Sequence, residues 1–142
     1  MQISSRFTIA VHIFEKDHKI TSDFLADSIQ VNPVVIRRLL SQLKAAGLVR
    51  VQRGSGGASM AKPLDQITFL DIYRAVDCVE EGALFHFHEN PNPNCPVGRN
   101  VHRVLDGRLK QIQDAMEREM AGITLESVMK DTENCIKEES RG

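Results

Sequence analysis

Apolar residues recur at helical spacing along most of this chain, and one short alternating segment interrupts them. The first run predicts an amphipathic helix over residues 3–16, because intervals of three and four place its apolar side chains on one face. Those side chains are Ile3, Phe7, Ala10, Val11 and Phe14. Thr21 or Ser22 is expected to cap a second, shorter helix. The inner face of that helix carries Leu25, Ala26 and Ile29.

A third helix has a clear beginning and end in the sequence. Asn32 is a favoured N-cap residue, Pro33 is favoured at the first helical position, and Gly47 suits a left-handed C-terminal cap. The apolar face of this helix holds Ile36, Leu39, Leu40 and Leu43, and the opposite face holds Val34, Arg37, Arg38, Ser41 and Ala45. A helix that enters a DNA major groove needs cations beside small or apolar groups, for phosphates, guanine edges and thymine methyl groups.

A β-hairpin is predicted directly after this helix. Residues from Val49 to Arg53 alternate between apolar and polar, which indicates a half-buried strand. Residues 54–57 are rich in glycine and form a turn, and residues 58–61 return as a second strand before Pro63. The hairpin fits a wing that places Arg53 in a minor groove or on phosphate. A nucleotide-binding loop is the alternative for the glycines, but the Gly-Lys-Ser/Thr ending of a P-loop is missing.

A fourth helix and a loop follow the hairpin. Thr68 and Asp71 form a start that resembles a capping box. The apolar face of this helix holds Phe69, Ile72, Tyr73 and Val76. Residues 80–96 lose all periodicity and contain three prolines, so they are expected to form a loop that joins two parts of the protein.

A longer helix is predicted over residues 97–120. Its apolar stripe consists of Val101, Leu105, Leu109, Ile112, Met116 and Met120. The stripe has no obvious partner within the chain, so a second copy is expected to cover it. The alternative is that the helix packs back on its own domain. Gly122 is expected to break this helix, Thr124 to cap a last one, and residues 137–142 to fray.

These elements predict a mainly α fold with a small β-hairpin. The chain of 142 residues is expected to contain a winged helix-turn-helix domain over residues 1–79, a connecting loop over 80–96, and a dimerisation helix with a C-terminal helix over 97–138.

The charge of the chain is unevenly distributed. Residues 1–62 contain nine Lys/Arg and four Asp/Glu, a net charge of +5, whereas residues 63–142 contain nine and fifteen, a net charge of −6. No acidic residue occurs between Asp27 and Asp65, but six basic residues do. An acid-free basic stretch is expected for a polyanionic partner such as DNA. The alternatives are a basic face that only contacts solvent, and a winged helix used for protein contacts, which would not need this stretch.

Several classes of protein are excluded by what the sequence lacks. No stretch is long and apolar enough to span a bilayer, and the beginning, MQISSRFT, lacks the pattern of a signal peptide, so a cytoplasmic location is expected. No Ser/His/Asp set, pair of buried carboxylates or activated nucleophile is recognisable, so no enzymatic activity is expected.

The three cysteines, Cys78, Cys95 and Cys135, lie far apart and predict neither a disulfide framework nor a zinc knuckle. Cys95 lies in the predicted loop, where its oxidation would shift the angle between two DNA-binding heads. An inert thiol is the alternative, because no obvious activating group lies next to it. His86 and His88 with Cys95 and His102 are a further candidate set for a metal, but two intervening prolines leave its geometry unconstrained.

Taken together, these motifs resemble the Rrf-two family of bacterial winged-helix transcription regulators. The likeness lies in Leu25-Ala26, Asn32-Pro33, and residues 43–49, 53–57, 61–63 and 72–76. It covers residues 1–78 densely and the long helix more loosely. The resemblance implies a homodimer that binds a near-palindromic operator, and a repressor is the expected role.

The resemblance also implies roles for individual residues. Base contacts are expected from the start of the recognition helix and from the wing arginine. By position, these residues are Asn32, Val34, Arg37, Arg38 and Arg53. The complete set of candidate DNA contacts is Ser5, Arg6, Asn32, Val34, Arg37, Arg38, Ser41, Arg53, Ser55 and Gly56.

The resemblance bears on the cofactor as well. The best-known family members hold an iron–sulfur cluster through three cysteines between the fourth helix and the dimerisation helix. In that region this chain has only Cys95, which resembles the last of the three. A three-thiolate site therefore cannot be assembled, and no cofactor is expected. The implied signal is a thiol reaction, an unknown small molecule or a partner protein.

Overall fold

The computed structural model describes residues 5–14, 29–51, 58–76 and 92–141. The elements are α1 (Arg6–Phe14), α2 (Pro33–Ala45), β1 (Val49–Val51), β2 (Ala58–Met60), a short 3-10 helix (Leu64–Gln66), α3 (Phe69–Ala75), α4 (Pro96–Ala121) and α5 (Leu125–Arg141). Within these ranges the protein is mainly helical with one two-stranded hairpin, as predicted. The predicted second helix, the tip of the hairpin and most of the predicted loop lie outside the described residues.

Helix α2 begins and ends as the sequence predicts. The Asn32 side chain accepts a hydrogen bond from the Val34 N–H at 2.9 Å, and Pro33 occupies the first helical position. Gly47 follows the helix with φ of +77°. The N–H groups of Gly47 and Leu48 then donate to the carbonyls of Lys44 and Leu43, each at 3.0 Å, which completes a Schellman motif.

The two strands of the hairpin are antiparallel, with Arg50 opposite Ser59 and Val51 opposite Ala58. Val49 is buried as predicted, but Val51 is 41% exposed although it lies on the same face. The prediction of a half-buried strand is therefore correct at Val49 and wrong at Val51. The first residue of β1 is therefore in the core, whereas its last residue is exposed.

One hydrophobic core joins α1, α2, the hairpin and α3. Its buried members are Ala10, Ile13, Phe14, Ile36, Leu39, Leu40, Leu43, Leu48, Val49, Ala58, Ile67, Ile72, Tyr73, Val76 and Leu125. The rings of Phe7 and Phe69 meet edge to face at 5.3 Å between centroids, which ties α1 to α3. The apolar faces predicted for the first, third and fourth helices supply most of this core. Ile13, Leu48, Ala58 and Ile67 lie outside those faces, and Leu125 comes from the last helix.

The predicted capping box begins α3. The Thr68 hydroxyl accepts from the Asp71 N–H at 3.2 Å, and the Asp71 carboxylate accepts from the Thr68 N–H at 3.0 Å. Helix α4 covers the predicted range, beginning one residue earlier at Pro96 and ending at Ala121. Gly122 is its C-cap, as expected.

Two expectations about the second half of the chain need correction. The apolar stripe of α4 was expected to find no partner within the chain, but Met116 and Met120 pack against the core of the same protomer. The end of the chain was expected to fray from residue 137, but α5 continues to Arg141. Thr124 caps this helix as predicted, since its hydroxyl accepts from the Ser127 N–H at 3.2 Å.

Candidate nucleic-acid interface

Helix α2 presents the two faces that its sequence predicts. Ile36, Leu39 and Leu43 are fully buried, whereas the side opposite them is open to solvent. The exposed residues of α2 include Val34, Arg37, Arg38, Ser41 and Ala45. Val34 is 60% exposed, which is unusual for a valine beside a well-packed core. The face thus offers two guanidinium groups, a hydroxyl and a methyl surface without any carboxylate.

Asn32 caps α2 and is also a predicted DNA contact. Its side-chain carbonyl is held by the Val34 N–H. The amide NH₂ points from the same rigid cap and remains a donor, because each amide carries separate donor and acceptor groups. The first turn of α2 is therefore fixed locally, which gives any contact made by Asn32 and Val34 a defined geometry.

Ser5 and Arg6 lie at the beginning of α1. Ser5 is exposed, and its carbonyl accepts from the Thr8 hydroxyl at 2.9 Å and from the Ile9 N–H at 3.0 Å. Arg6 is half-buried at the first helical position. The positive end of a helix dipole favours a phosphate near these residues.

The candidate wing residues Arg53, Ser55 and Gly56 lie outside the described residues. The described strands reach Val51 and Ala58, which pair with each other and precede and follow these residues in the chain. Arg50 was not nominated from the sequence, yet it is exposed on β1. The alternation of the strand could have indicated it, because Arg50 must point away from the buried Val49.

The basic stretch between Asp27 and Asp65 becomes a basic surface. Its described cations are all exposed: Arg37, Arg38, Lys44, Arg50 and Lys62. None has an acidic neighbour in the sequence of that stretch. A surface of this kind attracts a polyanion at long range and steers its approach.

The candidate sensor Cys95 is half-buried and is the N-cap residue of α4, without a side-chain capping hydrogen bond. Asn92 carries the turn before it, accepting from the Cys95 N–H at its carbonyl (3.2 Å) and from the Asn94 N–H at its side chain (3.0 Å). Cys78, His86 and His88 fall outside the described residues. His102, the remaining member of the candidate metal set, lies 3.3 Å from the Asp106 carboxylate.

The Rrf2 family model, described as an iron-dependent transcriptional regulator, matches residues 2–131. The residues that the structure describes contain no group of three or more His, Cys, Asp or Glu side chains placed to hold a metal ion. Cys95 begins α4 and Cys135 lies exposed in α5, so the two described thiols belong to different elements. Within the described ranges, these donors do not fit the iron of the family description.

Two relatives are named as transcriptional regulators. The chain is 45% identical over 130 residues to YwnA of Bacillus subtilis, which is named as an HTH-type transcriptional regulator; the match covers 89% of this chain and 96% of YwnA. YwgB of the same organism, named in the same way, is 29% identical over 111 residues, covering 78% of this chain and 69% of YwgB.

Solved structures share the fold. A crystal structure described as a DNA-binding protein has a TM-score of 0.72 and 38% identity, covering 88% of this chain and 99% of that chain. CymR, the global cysteine regulator of B. subtilis, has a TM-score of 0.63 at 23% identity, covering 92% and 97%, and shows the fold alone. Among the described residues, no helix has the length and apolar composition needed to cross a bilayer. The chain is a member of the Rrf2 family of winged-helix, DNA-binding transcriptional regulators, which are not enzymes.

Proposed function

We propose that two copies of this chain bind a near-palindromic DNA operator, each with α2 in a major groove and its wing on the adjacent minor groove or phosphates. The observation that carries the proposal is the exposed face of α2, which lacks carboxylates and lies opposite a fully buried apolar face. The proposed contacts are Ser5, Arg6, Asn32, Val34, Arg37, Arg38, Ser41, Arg53, Ser55 and Gly56.

The chemistry of these residues divides the contacts into two kinds. Arg37, Arg38 and the wing residue Arg53 supply cations that suit phosphates or the O6 and N7 acceptors of guanine. Val34 supplies an apolar surface that suits a thymine methyl group, and the Asn32 amide is a hydrogen-bond donor for a base or phosphate. Contacts to phosphates position the protein, and contacts to base edges select the sequence.

The second copy is proposed from the surface of α4. No residue of this helix is buried, and its first two-thirds display Val97, Val104, Leu105 and Ile112 to solvent. This exposed stripe on the first part of the helix offers an apolar surface that a second copy would cover.

We further propose that the protein is a repressor, because a dimer that covers an operator with two heads and two wings obstructs other proteins there. The signal is an unknown small molecule or protein effector, and the bacterial cytoplasm, where the operator is, is the proposed location. A winged helix used for protein contacts is not favoured, because the family binds DNA and the sequence between Asp27 and Asp65 contains no acidic residue.

The deciding experiment recovers bound fragments of genomic DNA with the purified protein and sequences them. We expect fragments that share a motif with two-fold symmetry. The double variant Arg37→Ala with Arg38→Ala should recover no enriched motif, whereas Lys137→Ala with Arg141→Ala, at the far end of α5, should recover the same motif as the wild type. Equal enrichment by both double variants would overturn the proposed interface.

A repeat of the recovery under oxidant and under reductant tests the sensor prediction for Cys95. Enrichment that changes with redox state in the wild type but not in Cys95→Ser would support that prediction. Enrichment that is indifferent to redox state would remove it.

A further inference from the structure

A groove lies between α3 and the second half of α4. Its lining consists of Leu70 and Arg74 from α3 and Asp114, Glu117, Arg118 and Ala121 from α4. Leu70 and Arg74 are four residues apart, and the residues of α4 lie three, four and seven positions after Asp114, so each helix contributes a single face. The groove has a volume of about 330 Å³ and is open to solvent. This volume is at the lower end of the range of small-molecule sites, roughly 300–1,000 Å³.

The groove contains charges of both signs. Arg74 and Arg118 are exposed, and neither forms an ion pair with a carboxylate in the part of the chain that the structure describes. Asp114 is half-buried and lies 2.8 Å from the Lys110 ammonium. Glu117 is half-buried as well and takes part in none of the described ion pairs.

The carboxylates of Asp114 and Glu117 both stabilise the charged form of Lys110. The hydrogen bond and charge of Asp114 raise the pKa of Lys110 above its ordinary value, and the charge of Glu117 contributes less strongly in the same direction. Lys110 therefore neutralises part of the Asp114 charge, so Glu117 is the carboxylate with more capacity for a second cation. Leu70, which packs against the core, adds an apolar side chain to the lining of the groove.

We propose that this groove binds a small zwitterion of the α-amino acid type. The carboxylate of the ligand lies on Arg74 and Arg118, and its ammonium lies on Glu117 with support from Asp114. Guanidinium groups bind carboxylates through paired, charge-assisted hydrogen bonds. A ligand with only a negative charge would leave Glu117 unmatched, and one with only a positive charge would leave the two arginines unmatched, so the groove discriminates against both.

The position of the groove gives the ligand a route to regulation. Helix α3 belongs to the DNA-binding head, and α4 carries the proposed dimer surface, so a ligand between them contacts both. Differential binding to two arrangements of these helices would change operator affinity by the same factor by which the operator changes ligand affinity. This regulatory part rests on the proposed function, whereas binding to the groove does not.

Binding is tested on the full-length protein without DNA. The proteinogenic amino acids are added one at a time at millimolar concentration, with thermal unfolding and titration calorimetry as the measurements. We expect at least one amino acid to bind and to raise the unfolding midpoint. Its amide, which lacks the carboxylate, and its deaminated acid, which lacks the ammonium, should bind at least about tenfold more weakly, because each leaves charged groups of the groove unpaired.

Variants locate the ligand. Arg74→Gln and Glu117→Gln should each weaken binding about tenfold to hundredfold. The matched controls Arg141→Gln and Glu133→Gln change the same residue types on exposed positions of α5 and should leave it unchanged. The proposal is overturned if no amino acid binds the wild type, if the amide or the deaminated acid binds equally well, or if the groove variants bind like the wild type while circular dichroism shows them folded.

The regulatory part has a separate measurement. Operator affinity of the wild type is measured with and without the amino acid that binds, at fixed salt. A change that is absent in Glu117→Gln supports regulation through the groove. Ligand binding without a change in operator affinity would refute the regulatory part and retain the site, and a protein that binds the ligand but no DNA would refute the proposed function alone.

Discussion

Thr68 and Thr124 face each other across an isolated antiparallel β-bridge, although they lie in different halves of the chain. The Phe69 N–H donates to the Ile123 carbonyl, and the Leu125 N–H donates to the Ile67 carbonyl, both at 2.9 Å. The side chain of each threonine caps the helix that follows it. The start of α3 and the start of α5 are therefore held together, and α5 is attached to the core that α1, α2, the hairpin and α3 share.

The bridge places Leu125 in this shared core, where it is fully buried. We expect Leu125→Ala to lower the free energy of unfolding by about 2–5 kcal/mol, because it removes a buried side chain and leaves a cavity. Urea unfolding followed by circular dichroism at fixed protein concentration measures the change. Ile136→Ala, at a position of the same helix that is 57% exposed, should change it by no more than about 0.5 kcal/mol. Equal effects would contradict the attachment of α5 to the core.

Gly98 is required by a close approach of the backbone. A Cβ at this position would lie 2.5 Å from the Asn92 carbonyl oxygen, so the turn before α4 would have to move. We expect Gly98→Ala to lower the midpoint of thermal unfolding. Gly107→Ala lies in the same helix, where an added Cβ meets nothing within 4 Å, and it should stabilise the protein by up to about 1 kcal/mol. The prediction fails if the two substitutions have the same sign.

Gly47 is required by its backbone conformation instead. Its φ of +77° is unfavourable for a side chain, although an added Cβ would have no neighbour within 4 Å. Gly47→Ala should therefore cost about 1–2 kcal/mol of unfolding free energy. Gly122 also ends a helix, but its φ is −89°. Gly122→Ala should thus be tolerated, and chemical denaturation of the two variants side by side compares them.

Arg38 is proposed to contact phosphate. Arg38→Ala should weaken binding to the recovered operator and reduce the slope of log affinity against log salt by about 1, since one fewer counterion is released. Fluorescence anisotropy at several salt concentrations gives the slope. Arg141→Ala removes the same charge at the end of α5 and should leave the slope as it is. A slope that is unchanged in Arg38→Ala would exclude the phosphate contact.

The exposed stripe of α4 is proposed to hold the second copy. Leu105 is 45% exposed and Ile112 is 53% exposed, so neither is needed for the core of a single protomer. The double variant Leu105→Asp with Ile112→Asp should be a folded monomer with weak operator binding, because charges on both copies would be desolvated at the interface. Light scattering after size exclusion reports the mass. Asn134→Asp with Ser140→Asp on α5 should match the wild type, and a dimer that survives the stripe variant would refute the interface.

The exposed face of α2 could be predicted from the sequence, because neighbouring residues determine where this helix begins and ends. The exposed face of α2 followed from helical spacing, because Asn32, Pro33 and Gly47 fix both ends of the helix and hence which residues share a side. Arg50 was not among the predicted contacts, although the alternation of the strand already indicated that its side chain is exposed. The wing residue Arg53 stays a prediction, since it lies outside the described residues.

The sequence by itself determined the elements whose stabilising contacts lie within a few residues. Asn32 caps through Val34, Thr68 pairs with Asp71, and Gly47 ends α2; each interaction spans at most three positions or depends on one residue's own backbone. A short-range interaction of this kind is encoded in the residue types themselves, so its pattern can be read without the fold.

Only the tertiary structure decided which surfaces meet. The sequence of α4 shows one continuous apolar stripe. In the fold, Met116 and Met120 pack against the core, whereas Leu105 and Ile112 are exposed. Val51 matches Val49 in pattern but lies beyond the core. Such outcomes depend on packing between segments far apart in sequence, and the bridge from Thr68 to Thr124 is one of the contacts that hold the second half of the chain against the core.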